Sequence, residues 1–156
     1  MIVRPARERD LPDLLQLYGE LHSGDPAVPA ERAAQLWSEI AGQPGRTVLL
    51  AELDGAPVGT LDCVCLANLT RGGRPFMLIE NVVVASSARR QGIGSQLLDA
   101  ALELARVADC YKVQLLSRSD RVEAHAFYEA AGFHVLAQGY RIYLPQTPGQ
   151  HPVNIG

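Results

Sequence analysis

The stretch that most restricts how this chain can fold is Ile79 to Leu98, IENVVVASSARRQGIGSQLL. Its first residues, Ile79 to Ala85, carry Ile79 and the run Val82-Val83-Val84, which predicts a strand; a short turn with two arginines and two glycines follows, and a helix begins near Gly92. A strand that feeds a glycine-rich turn into a helix gathers several unpaired backbone N–H groups at the positive end of a helix dipole. Such a point attracts an anion, and a phosphate suits it best. Gly92 and Gly94 lack a Cβ, so a ligand can approach the backbone, and Arg89 and Arg90 add charge and fork-shaped donors beside it.

The rest of the chain sets the frame for this motif. With 156 residues it is the size of one ordinary domain with room for a core. Hydrophobic residues at 47% against 20% charged exclude a disordered or fibrous chain. A net charge of −3 offers no basic stripe for nucleic acid. The N-terminus MIVRPARERD lacks the apolar core of a signal peptide, and no run nears the roughly 20 apolar residues that span a bilayer, so a cytoplasmic protein is expected. Cys63 and Cys65 alternate in an apolar strand and read as buried thiols; a C-x-C metal site lacks further ligands, so no metal is expected.

Taken in order, Met1 to Pro5 predicts a short strand and Asp10 an N-cap for a helix carrying Leu11, Leu14, Leu15, Tyr18 and Leu21 at helical spacing. His22 to Pro29 is a loop, and Glu31 to Ala41 a second helix closed by Gly42. From Thr47 the period becomes extended: Thr47 to Leu53, an Asp54-Gly55 turn, and Val58 to Leu66 form a hairpin. Asn68 to Pro75 predicts a longer, mobile loop without an apolar anchor. Phe76 to Ala85 is the motif strand, expected in the middle of the sheet because Val82, Val83 and Val84 show no polar alternation. The helix after the glycines has a polar stripe of Gln96, Asp99, Glu103 and Arg106. Tyr111 to Leu116 then predicts a parallel strand reached by a crossover, and Glu123 to Ala131 a shorter helix. Phe133 to Ala137 and Tyr140 to Leu144, turned by Gln138-Gly139, complete the expected strands of a single domain over residues 1–144; residues 145–156 read as an irregular tail.

Two segments in this order resemble the GNAT acetyltransferase superfamily. Arg89-Arg90-Gln91-Gly92-Ile93-Gly94 is similar to its R/Q-x-x-G-x-G/A motif after a valine-rich strand. Ala124 to Phe133, AHAFYEAAGF, is similar to its FYE-x-x-GF signature, and the N-terminal helix with Asp10, Leu14 and Leu17 adds a third likeness. The resemblance implies an α/β fold with a mixed, mostly antiparallel sheet of six to seven strands and about four helices. It also implies acetyl-CoA as donor and an amine as acceptor. The coenzyme A pyrophosphate would rest on the backbone around Gln91, Gly92, Gly94 and Ser95, and the pantetheine arm would lie along Val82 and Val84 like an added strand. Where many members carry an asparagine before the second signature, this chain has Arg121, which suits a phosphate or carbonyl of the cofactor or else a solvated helix start.

Acetyl transfer to an amine needs a base, because an ammonium of pKa ~10 has no lone pair, and an acid for a thiolate of pKa ~8.5. Glu80 is the candidate base: strand alternation predicts that Glu80, Val82 and Val84 share one side of the sheet. Its plain alternative is a carboxylate that faces solvent or orients a loop. Tyr128 matches the family tyrosine that faces the coenzyme A sulfur and is the candidate acid; as a packing residue beside Phe127 it would need a hydroxyl partner in any case. His125 falls about 300° around the helix from Tyr128 and reads as a surface or packing residue. The expected protein is thus an N-acetyltransferase acting in a ternary complex, with a catalytically silent coenzyme A sensor as the alternative. Its acceptor could be a small-molecule or a protein amine, and the exposed final strands suit a homodimer.

Overall fold

A computed structural model describes residues 1–144. The elements are β1 (Ile2–Pro5), α1 (Leu11–Leu21), α2 (Ala30–Ala41), β2 (Arg46–Leu53), β3 (Ala56–Leu66), β4 (Phe76–Val84), α3 (Ile93–Val107), β5 (Val113–Leu115) and α4 (Val122–Ala130). They form one five-stranded sheet in the order β1-β2-β3-β4-β5. All neighbours are antiparallel except β4 and β5, which are parallel because α3 carries the chain back across the sheet. Asp54 (φ 52°) and Gly55 (φ 81°) both adopt left-handed conformations, the primed turn that matches the twist of β2 and β3. The expected α/β fold with four helices is present.

α3 buries the apolar stripe read from its period. Ile93, Leu97, Leu98, Ala101 and Ala105 are inside, while Gln96, Asp99, Glu103 and Arg106 face water. A Cβ on Gly59 would lie 3.1 Å from Ile93 Cγ2 and 3.2 Å from Leu97 Cδ1, so the helix rests directly on the backbone of β3. Leu61, Leu97 and Leu98 are fully buried at this layer, each contributing roughly 1.5–3 kcal/mol of transfer free energy. α1 covers β3 and β4 from the other face.

Two expectations are corrected. The first concerns Phe133 to Ala137 and Tyr140 to Leu144, which form no strands, so the sheet has five strands rather than six or seven. Strand propensity acts only where a ladder partner and a covered face exist. The outermost strand β5 offers three residues, and Val135, Leu136, Tyr140, Ile142 and Leu144 stay 79–88% exposed. The second concerns Asp10, which stands at the N-cap position of α1 as expected but is buried and makes no side-chain capping bond there. Its carboxylate takes the Arg7 N–H at 2.7 Å and both Nη groups of Arg4 at 2.7 and 2.9 Å. The loop from Asn68 to Pro75 makes contacts through its arginines: Arg74 Nη2 pairs with Asp109 at 3.0 Å, and Arg71 stacks over the Tyr111 ring at 5.8 Å. The tail expected over 145–156 lies outside the described residues.

Strand β4 carries one irregularity that decides where its side chains point. Its register with β3 pairs Glu80 with Asp62 but Val83 with Thr60 and Val84 with Gly59, so Leu61 faces two residues, Asn81 and Val82. This is a bulge, and Asn81 at φ 52° is the left-handed residue that makes it, a conformation asparagine tolerates well. Paired residues share a face, and Gly59 faces α3. Val84 therefore shares the α3 face, whereas Glu80 shares the opposite face with Asp62. The even alternation expected for Glu80, Val82 and Val84 is broken by one inserted residue.

Candidate active site

The pairing of β4 with β5 ends at Ile79 and Leu115. Beyond that point the two chains part, and a cleft of about 920 Å³ opens between the end of β4, the start of α3 and the face of α4. Val82, Val83 and Val84 line it from the strand, Arg89, Arg90, Gly92, Gly94 and Ser95 from the turn, and Arg121 and Tyr128 from α4. Of the predicted site residues, Gln91 and Glu80 are not on its wall.

The turn folds as its composition demands. After a 3-10 turn at Ser86–Ala88, Arg90 (φ 62°) and Gly92 (φ 78°) both take left-handed conformations, and Gly92 stands at the N-cap of α3 with no side chain capping it. The helical ladder starts with Gln96 N–H to the Gly92 carbonyl at 3.1 Å. The N–H groups of Ile93, Gly94 and Ser95 lie ahead of that first bond, at the positive end of a 15-residue helix. Arg89 donates its Nε–H to the Val84 carbonyl at 3.3 Å, tying the turn to the edge of the parted strand.

Gly94 has a further role that spacing did not disclose. A Cβ there would stand 2.9 Å from Phe127 Cζ, so α4 seats its ring against the first turn of α3. The adjacent Tyr128 packs between Phe127 (centroids 5.1 Å apart) and Phe133 (6.1 Å), which fixes its phenol toward the cleft. Burial raises the Tyr128 pKa, the Arg121 guanidinium opposes the rise and the Glu80 carboxylate adds to it. Glu80 is close enough to Tyr128 to act on its charge although it lies off the cleft wall. Its own pKa is raised, chiefly by desolvation; Arg141 opposes this and Asp62 contributes. The accessible surface makes Glu80 an exposed residue, so its desolvation is partial.

Asp62 is a buried carboxylate held by the Arg46 guanidinium, with Nε at 3.0 Å. His125 gives its ring Nε2 to the Arg118 carbonyl at 2.8 Å and is absent from the cleft wall, which accords with a packing role. Glu20 was not anticipated. It lies on the cleft and accepts the Ser86 N–H at 2.8 Å, joining the end of α1 to the turn. A contact across 66 residues leaves no local signal in sequence. Among the described residues no group of three or more His, Cys, Asp or Glu is placed to hold a metal ion, and no helix is long and apolar enough to cross a membrane.

The arrangement can hold a phosphorylated ligand at the turn, accept an extended arm along the free side of β4, and present a phenol to its far end. Known proteins resemble the chain in sequence and fold. A model of the acetyltransferase (GNAT) family matches residues 11–133. A glucosamine 6-phosphate N-acetyltransferase of Trypanosoma brucei brucei is 32% identical over 147 residues, 91% of this chain and 95% of its own. An aminoglycoside N(6')-acetyltransferase type 1 of Acinetobacter haemolyticus is 27% identical over 85% of this chain and 90% of its own. Among solved structures, a putative acetyltransferase from Agrobacterium tumefaciens superposes with a TM-score of 0.89 at 38% identity, covering 92% of this chain and all of the other.

Proposed function

The chain belongs to the GNAT acetyltransferase family and is an enzyme of acetyl transfer; on that premise we propose that it moves acetyl from acetyl-CoA directly to the amine of a small acceptor of the amino-sugar class. Acetyl-CoA supplies an activated acyl carbon. The observation that carries the reading is that one cleft joins a helix N-terminus flanked by arginines, a strand edge without a partner beyond Ile79, and Tyr128. A pyrophosphate fits the N–H groups of Ile93 to Ser95, with Arg89 and Arg90 beside them, while Gln91 supports the turn from outside the wall. Val82 and Val84 offer backbone groups to the amide-bearing arm, and Arg121 offers a cation at the mouth.

Tyr128 holds the proton that the departing sulfur takes up, and its raised pKa keeps the phenol protonated at neutral pH. Glu80, on the other face of β4, receives the amine proton through water, and its raised pKa brings it nearer the pH at which a base works. The amino-sugar class rests on the two relatives named for glucosamine 6-phosphate and aminoglycosides. The open edge of β5 and the exposed apolar residues from Val135 to Leu144 support a homodimer, which light scattering on the purified protein checks.

Thiol release from acetyl-CoA, measured across glucosamine 6-phosphate, an aminoglycoside, a polyamine and a lysine peptide, tests the proposal. Turnover with the amino sugars is expected. Turnover confined to the peptide would overturn the acceptor class, and tight coenzyme A binding without turnover on any amine would make the protein a silent sensor.

A further inference from the structure

The three cysteines divide differently from the way their spacing suggests. Cys63 is buried, with Sγ 3.4 Å from the Thr47 carbonyl. Cys65, near the end of β3, is half-buried and meets Cys110, which lies between α3 and β5: Cys110 Sγ lies 3.7 Å from Cys65 Sγ, and both are free thiols. A disulfide bond of ~2.0 Å asks the two sulfurs to approach by about 1.7 Å, within reach of a side-chain rotation. The surroundings hold them there. Cys65 pairs with Met77 across the sheet, Met77 pairs with Val113 on β5, and Arg74 bonds the carbonyls of Asp109 and Cys110 at 3.3 Å each.

We propose that Cys65 and Cys110 are a thiol-oxidation site, converted by a low-molecular-weight disulfide into an intrachain bond that staples β5, and through it α4, to the sheet. One protein thiolate attacks the reagent disulfide, forming a mixed disulfide and releasing one reagent thiolate. The second protein thiolate attacks the protein-side sulfur, closes the Cys65–Cys110 bond and releases the other reagent thiolate. The protein thiols lose two electrons and two protons, and the reagent gains both as two thiols. The staple matters because β5 is a three-residue strand, paired with β4 from Met77 and Val113 to Ile79 and Leu115, and the helix that carries Tyr128 is the next element after it. Burial, with the neighbouring sulfur, pushes the Cys110 thiol up to about 11, so the exchange is slow at neutral pH and quickens as pH rises. The proposal does not depend on the acetyl-transfer reading.

The native protein is incubated with oxidised glutathione at mildly alkaline pH, then alkylated, digested and analysed by mass spectrometry beside a melting curve. A cross-linked peptide pair containing Cys65 and Cys110 is expected, with a melting temperature raised by several degrees and restored by dithiothreitol. Cys63→Ser keeps the cross-link, and Cys65→Ser or Cys110→Ser abolishes it while leaving the far-ultraviolet circular dichroism unchanged. Only glutathione adducts on a folded wild-type protein, a bond that includes Cys63, or a cross-link with no change in melting temperature would overturn the proposal.

Discussion

Phe127 occupies the space that a side chain on Gly94 would need: a methyl group there would fall 2.9 Å from Cζ and 3.2 Å from Cε2 of the ring. The helix that carries Tyr128 is thus registered against the glycine turn that opens α3. Gly94→Ala is expected to push the ring aside and displace Tyr128 with it. A stability loss of about 1–2 kcal/mol, near the lower end for overpacking because the ring is half-buried, accompanies a larger fall in kcat. Pairing it with Phe127→Leu should restore stability in a double-mutant cycle. A Gly94→Ala enzyme that differs from wild type only in KM for acetyl-CoA would show that the glycine serves ligand approach alone.

Tyr128→Phe removes a phenol without emptying the space between Phe127 and Phe133. Loss of a positioned acid costs about 10²–10⁴ in rate, so kcat should drop by at least the lower figure with the melting temperature nearly unchanged. Because burial raises the Tyr128 pKa, the wild-type rate should hold well into alkaline pH before the phenol ionises. An alkaline limb that survives Tyr128→Phe would assign it to another group.

The acidic limb should report Glu80. Its pKa is raised, chiefly by burial with a contribution from Asp62, so the base is lost as pH falls through a value above the ordinary carboxylate range. Asp62→Asn removes that contribution and releases Arg46, and both changes move the limb to lower pH. Glu80→Gln should abolish the limb and slow turnover. An unchanged pH–rate profile in Glu80→Gln would exclude it as the base.

At the far edge of the sheet, Asp10 offers a stability test independent of activity. Its hydrogen-bonded pairing with Arg4, aided by the Arg7 N–H, holds its pKa down to about 2 against an ordinary 3.8. A depressed pKa stabilises the fold fully above the unfolded value and is lost as pH falls from about 4 toward 2. After allowance for solvent screening the contribution is on the order of 1–2 kcal/mol. Denaturant melts of Asp10→Asn and wild type should therefore differ at pH 6 and converge near pH 2, and parallel curves at both would refute the pairing energy.

The elements legible in the sequence are those whose periodicity is enforced by one neighbour: the α3 stripe, the Asp54-Gly55 hairpin and the parallel return to β5. The glycine turn before α3 was legible because glycine's conformational freedom is local. Partnerships across the chain were not. Nothing near Glu20 signals Ser86, and nothing near Gly94 signals Phe127. The final strands misled because Val135, Ile142 and their neighbours have strand propensity without a ladder to join. The bulge in β4 was hidden for a different reason. With valine at 82, 83 and 84, either choice of face places an apolar side chain inside, so the composition carries no mark of the phase.

That bulge makes β4 sensitive to residue count more than to residue kind. Replacing Asn81 by glycine preserves the left-handed backbone and the order of faces, whereas removing it carries Glu80 to the face of Val84 or reverses the valines that follow. The face on which Glu80 stands relative to Val83 and Val84 is thus encoded by one residue's presence. Insertions and deletions there are expected to turn Glu80 relative to the valines of the cleft even where the strand still forms.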